Sequence, residues 1–520
     1  MKKLTKLVSA LTIAGLAATT VPMNVWADGD KIEISVTGGG EDSMQLNTAT
    51  SGFLNGISAL RHLYEGLYKL DANGEIALGQ AASVEQSDDN LTWTFTLRDD
   101  ITWSDGQAVT ANDFVFGFDN LAAQGGDYCT MISDIVDSYE ATDDKTLVLH
   151  LKHACSYLPS VLAFPSTYPA RQDYVEEYGD AYATDPDKAV YNGPYEMESW
   201  AHESEVVMKL RDDYYDADQI QVGTINWELI TEESSALASF ESGDYIYSDM
   251  CPDEEKPRME GNGLVYAEGN NNYCVMFNLG DKGNDVLKDV NVRKALSLTI
   301  DRERIMNIRG LNDEIGVTLA CRGYENADGT DFVDYCDPWE DVEAYDENCE
   351  TAKQLLAEAG YEDGKGFPAL TYIVNNDSRK EIAEAIVNDW KEVLGIDSIT
   401  VEKVENFSAA RNSGDYDLAY YGWFMDYKDL SNMYDSMYAT ANSNSFYQGD
   451  EYDAAFLKAT SAATEEEQWE GYKECDAILA RDLPVSVILH SMSAYLFDDT
   501  NYEGLVYSCG NFIFTYLKAL

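Results

Sequence analysis

No run beyond the first residues of this chain reaches the ~18 consecutive apolar positions that a membrane helix needs. Its 520 residues therefore have to bury their hydrophobic side chains in globular units. A single core stops growing at ~250–300 residues, so two or more lobes are expected. Hydrophobic residues make up 45% of the chain, an ordinary share for a folded protein.

Residues 1–27 have a different character. Lys2, Lys3 and Lys6 open the chain, Leu7 to Ala18 is apolar, and Val25-Trp26-Ala27 is a small-x-small pattern. That order reads as an export signal cut after Ala27. The segment holds no cysteine, so a lipid anchor is not expected. The mature chain is expected to be exported, periplasmic or extracellular, and free of a transmembrane span. The formal charge is −59, and losing the three lysines of residues 1–27 would take it to −62. Such a field repels nucleic acid and anionic membrane surfaces, so neither is expected as a partner.

Nine cysteines are present. Export permits disulfides, and an odd count leaves at least one thiol unpaired within a monomer. Cys321, Cys336 and Cys349 share a Gly/Asp-rich stretch and could bridge a loop. The absence of C-x-x-C argues against a zinc ribbon or a thioredoxin-like site.

Alternating patterns at Ile32–Val36, Leu91–Leu97 and Leu147–Leu151 predict strands. Ser378 to Leu394 reads as a helix with an apolar face of Ile382, Ile386, Trp390, Val393 and Leu394. Ser378 with Glu381 suggests a capping box, and Gly395 a C-terminal cap. A second helix is expected over about 349–359. Strands and helices in alternation predict α/β layers.

Motifs for catalysis are missing: G-x-S-x-G, H-E-x-x-H, the Walker loop and G-x-G-x-x-G do not occur. His150 and His153 are three apart, but His150 faces away from the Leu149/Leu151 side of its strand. It reads as a solvated histidine, not a ligand. With 94 acidic residues, choosing two as glycosidase carboxylates has no basis, because spatial separation decides that chemistry. No catalytic residue, metal ligand or cofactor is assigned.

Several blocks are more specific. Leu63-Tyr64-Glu65-Gly66-Leu67-Tyr68, Leu91–Arg98 and Trp103-Ser104-Asp105-Gly106 through Asn112-Asp113-Phe114 are followed by Asn192-Gly193-Pro194-Tyr195. Val292-Arg293-Lys294-Ala295-Leu296 with Asp301-Arg302, and Ala352 to Tyr361, come next. In this order the chain resembles the extracytoplasmic solute-binding proteins of the peptide/nickel type, family 5, along nearly its whole mature length.

The resemblance implies the two-lobed α/β periplasmic-binding-protein fold (type II, cluster C), with an extra domain inserted in the N-terminal lobe. Boundaries are expected at 28–65 (lobe I), 66–188 (extra domain), 189–273 (lobe I again), 274–489 (lobe II) and 490–520 (return to lobe I). It implies a monomer that hands its ligand to an ABC transporter permease. Ligands in the family include peptides, nickel, haem, glutathione and some sugars.

Leu418 to Tyr427 looks like the ligand strand of the oligopeptide binders, whose G-W-x-x-D aspartate meets the peptide ammonium. Carried over, that residue is Asp426. The residues themselves agree with this placement. Leu418 to Phe424 reads as a strand with Gly422 inside it, and an interior glycine often marks a close approach by another backbone. A peptide adding itself as a strand is such a backbone. Trp423 would supply an apolar wall. The resemblance also brings Arg411 and Arg379 forward as partners for a peptide carboxylate, since guanidinium suits bidentate carboxylate binding. Tyr420, Gly422 and Phe424 of this strand are expected to face the ligand with Trp423 and Asp426, although two of them depart from the family's pattern: Tyr420 replaces an arginine, and Phe424 replaces a cysteine found in some relatives. A nickel chelate, haem or glycan ligand is the alternative, and a secreted hydrolase a more distant one.

Overall fold

The computed structural model describes residues 31–40, 44–125, 128–310, 312–326, 328–438, 445–462 and 464–520. The export segment expected at residues 1–27 lies outside them.

An eleven-stranded mixed sheet organises the chain. Its strands are β1 (Ile32–Thr37), β2 (Tyr195–Ala201), β3 (Glu205–Leu210), β4 (Val222–Glu228), β5 (Tyr247–Ser248), β6 (Leu264–Phe277), β7 (Glu314–Ile315), β8 (Leu370–Val374), β9 (Ile399–Lys403), β10 (Leu418–Phe424) and β11 (Val485–Phe497). The spatial order is β9-β8-β10-β6-β11-β5-β1-β4-β3-β2, with β7 on β11. Both halves share β6 and β11, which run antiparallel from the Leu264/Leu496 pair to Met276/Val485. One end of this pair meets β5 through Leu496 and Phe497. The other end meets β10 through Asn271 to Phe277. The register slips between Ala267 and Asn271, where the ladder passes from one half to the other.

Around β10 the structure is three-layered. Leu418 and Tyr420 belong to the core beneath the helices Val290–Leu298 and Asp377–Leu394. Ala419 belongs to the opposite core, with Tyr452, Tyr472 and Leu479 of the helices Asp450–Thr460 and Glu465–Asp482. Alternate side chains of one strand feed two cores. A separate four-stranded sheet within residues 81–151 shares a core with β1 and β4. Trp93, Phe95 and Leu97 point into it, as their alternation predicts.

The helix expected from Ser378 starts one residue earlier, at Asp377. Its cap is Asn376, which accepts the Arg379 N–H at 2.8 Å; Ser378 does not form the expected box. Asn376, Asp377 and Ser378 are all competent caps, and the path out of β8 decides among them. A reciprocal box does form at Thr110 and Asp113, opening the helix Ala111–Gln124. Gly395, at φ 71°, closes the Asp377 helix as expected. The second helix is longer than expected and begins at Tyr345. All nine cysteines are free thiols, Cys321, Cys336 and Cys349 included.

The sequence blocks that carry the family resemblance meet as structural joints. Asn192 donates to the Glu65 carbonyl at 2.8 Å and accepts the Glu65 N–H at 3.2 Å. Gly193 lies flat on the 63–64 backbone, where a Cβ would stand 2.6 Å from the Tyr64 nitrogen. The buried Glu65 carboxylate accepts from Tyr214 at 2.5 Å, Tyr215 at 2.6 Å and Gln80 at 3.1 Å, and pairs with Lys69 at 3.2 Å. Arg293 donates to the carbonyls of Leu287, Asp482 and Leu483, and Arg302 to that of Val487.

Glu65→Ala would remove the acceptor of the buried Tyr214 and half-buried Tyr215 hydroxyls and leave the more distant Asp216, at 3.7 Å, as the carboxylate beside Lys69. It is expected to lower the unfolding free energy by about 3–5 kcal/mol, read by urea denaturation. A loss below about 1 kcal/mol would mean that the network carries no such weight.

Candidate ligand-binding site

Strand β10 occupies the predicted residues, Leu418 to Phe424. It pairs with β6 along its whole length, from Phe424/Asn271 to Leu418/Phe277. On its other side β8 reaches only Leu418 and Ala419. Tyr420 to Phe424 therefore extend past the end of that ladder, an edge of roughly 16 Å at ~3.3 Å per residue.

Alternation sorts the predicted site residues onto two faces. Tyr420 is 1% exposed and stacks on Tyr273, with ring centroids 5.6 Å apart. It is a core residue and does not line the cavity described below. Arg379 lies on this face, its guanidinium 4.9 Å from the Tyr273 ring centre, with Nη2 donating to the Tyr273 hydroxyl at 3.1 Å. Arg411 lies on the other face, 4.7 Å from the Tyr421 ring centre. The strand thus separates the two arginines. Phe424 is exposed at the strand's end.

Gly422 has a local explanation. A Cβ there would sit 2.6 Å from the Tyr273 ring and 3.1 Å from Asn271 Oδ1. The close approach that this glycine permits is made by a side chain of the neighbouring strand.

Beyond the strand, Trp423 and Asp426 are both fixed to Asn432. The Trp423 indole donates to its carbonyl at 3.0 Å, and the Asp426 N–H donates to its side-chain oxygen at 2.7 Å. Asn432 belongs to the short helix Leu430–Tyr434, capped by Asp429, which accepts the Ser431 N–H at 2.8 Å. These contacts turn Trp423 and Asp426 into one wall of a cavity of about 440 Å³. The facing wall comes from residues 128–161. Tyr128 donates to Asp426 Oδ1 across the gap at 2.7 Å. Ser156 donates its N–H and hydroxyl to the Thr460 carbonyl, both at 3.0 Å, and Tyr157 stacks on Tyr427.

The lining is largely aromatic and aliphatic, with Tyr157, Trp423, Tyr438 and Phe456 among its rings. Its charged groups are Asp134, Asp426, Asp435 and Lys152. Burial, with the charges of Asp134 and Asp426 beside it, pushes the Asp435 carboxyl up to about 7. Lys152 turns to the Ser133 carbonyl at 2.5 Å. No group of three or more His, Cys, Asp and Glu among the described residues could hold a metal ion. Nor is any helix among them long and apolar enough to cross a membrane.

Of the predicted residues, Trp423 and Asp426 meet at this cavity. Tyr128, Asp134, Asn432 and Asp435 went unrecognised in the sequence. Nothing in a lone tyrosine about 300 positions away from Asp426, or in aspartates among so many, distinguishes them before folding.

Residues 75–445 match the family model for bacterial extracellular solute-binding proteins, family 5. The oligopeptide-binding protein OppA of Bacillus subtilis is 25% identical over 476 residues, covering 86% of this chain and 85% of its own. Periplasmic oligopeptide-binding protein OppA of Salmonella typhimurium is 27% identical over 471 residues, covering 84% and 83%. Haemophilus influenzae OppA, solved in complex with the peptide RPPGFSPFR, superposes with a TM-score of 0.77 at 23% identity, over 94% of this chain and 99% of that one. The fold is accordingly the two-lobed type II periplasmic-binding-protein architecture, and the relatives are solute-binding proteins, not enzymes. This chain is a member of the family 5 bacterial extracellular solute-binding proteins, close to the oligopeptide-binding branch.

Proposed function

We propose that this protein captures oligopeptides and delivers them to the permease of an ABC importer, without chemical turnover. The observation that carries this reading is the edge of β10. Five residues, Tyr420 to Phe424, run beyond the β8 ladder toward a carboxylate held in an aromatic-walled cavity. An extended peptide can bond to such an edge through main-chain groups common to all sequences, which would allow varied side chains. Asp426 then takes the peptide's ammonium and sets the register. The chain would run antiparallel to β10, and its carboxyl end would arrive where β8 stops. Arg379, in the first turn of the helix that follows β8, would receive that carboxylate. Arg411 lies on the opposite face and serves a different peptide length.

Asp426→Ala removes one partner of a buried ion pair, a loss of about 3–5 kcal/mol. Peptide affinity measured by titration calorimetry is expected to fall by about two to three powers of ten or more. N-acetylation of the peptide should cause a similar loss in the wild type. A change of less than tenfold in either case would remove Asp426 from this role.

Gly422→Ala presses a methyl onto the Tyr273 ring and is expected to cost about 1–3 kcal/mol of stability. In a Tyr273→Ala background most of that penalty should vanish, as a double-mutant cycle reads directly. A penalty that persists there would mean that the Tyr273 ring is not what the glycine accommodates, leaving Asn271 Oδ1, 3.1 Å from the added Cβ, as the contact.

A further inference from the structure

The cavity beside Asp426 holds more than an ammonium requires. At about 440 Å³ it is near the small end of ligand pockets, large enough for one long side chain beside the amine but not for a whole peptide. Its walls are aromatic and aliphatic side chains, with Phe456, Tyr438 and Trp423 on one side and Tyr157, Met131 and Val161 on the other. Such walls suit the methylene stem of a long side chain, and ring faces attract a cation at its tip.

The polar groups are unevenly matched. Asp426 has Tyr128 as a donor. The Asp435 carboxylate, in the single turn Asp435–Met437, has no hydrogen-bond or ion-pair partner among the described residues. It is partly buried and lies close enough to Asp134 and Asp426 for their charges to disfavour its ionised form. The one ammonium in the lining, Lys152, is engaged by the Ser133 carbonyl. His153 bonds the Ala154 carbonyl through Nδ1. The aspartates do not form a metal-binding cluster. With the peptide ammonium on Asp426, a neutral first side chain would still leave Asp435, beside Asp134, with no counter-charge of its own, whereas a cation on a flexible stem would supply one.

We infer that the cavity selects peptides whose amino-terminal residue is arginine or lysine, with the side-chain cation received by Asp435 and with Asp134 adding its field. This rests on the reading of Asp426 as the amine site, and it names the substrate class for that site.

The test compares tetrapeptides that differ only at the first residue: arginine, its neutral isostere citrulline, lysine and leucine. Affinities are measured calorimetrically at mildly alkaline pH on the wild type and on Asp435→Asn. The wild type is expected to bind the arginine peptide at least about tenfold more tightly than the citrulline peptide, about 1.4 kcal/mol. The arginine-to-citrulline ratio should fall toward one in Asp435→Asn. Because the ratio is taken within one protein preparation, partial unfolding of the variant cancels. Equal affinities in the wild type, or a preference that survives in Asp435→Asn, would overturn the inference while leaving Asp426 in its role. If none of the four peptides bound the wild type, the peptide reading itself would fail, and this inference with it.

Discussion

The antiparallel pair β6–β11 is the constraint on which the rest of the molecule depends. A single ladder between Leu264–Met276 and Val485–Leu496 serves as the centre of two different half-sheets. Because hydrogen-bonded strands hold their neighbours at fixed spacing, β10 on one side and β5 on the other inherit their positions from this pair. The register slip between Ala267 and Asn271 sits where the two halves meet. Breaks in a ladder bend and twist strands, which makes this the natural place for one lobe to turn against the other. Relative lobe motion is how proteins of this architecture enclose ligands.

What the ladder delivers is an edge and a wall. β8 stops early against β10, so the strand's far half lies beyond that ladder. The Asn432 clip then folds the chain sharply enough to bring Trp423 and Asp426 round to face residues 128–161. Neither wall makes a cavity alone. Specificity in such an arrangement comes from side-chain pockets and charge, while affinity comes from the backbone. The crowding of Asp134, Asp426 and Asp435 is a cost to the empty protein. A cationic ligand would recover that cost, which is the basis of the preference proposed above.

Much of the fold was legible in the sequence because local periodicity and packing agree there. Leu418–Phe424 is a strand at the residues its pattern indicated, and Trp93, Phe95 and Leu97 alternate inward as expected. The helix cap was misplaced because three adjacent residues could each cap, and the choice belongs to the backbone leaving β8. The specific sequence blocks proved to be joints: Glu65 with Asn192, Thr110 with Asp113, Arg302 with β11. They reveal architecture, since few other residues could make those contacts, and they say little about ligand. The site was half legible. Trp423 and Asp426 follow a strand with a recognisable pattern, but Tyr128, Asn432 and Asp435 join them only through tertiary contacts. Tyr420 and Gly422 were read as facing a ligand, whereas the pleat directs Tyr420 into the core and Gly422 under Tyr273.

The central claim is that the cleft is built for peptides. Native mass spectrometry of gently purified protein, followed by release and sequencing of whatever remains bound, addresses it most directly. The account predicts a family of peptide masses with varied interior sequences and free amino termini. A single metal, haem or sugar mass in their place would contradict it.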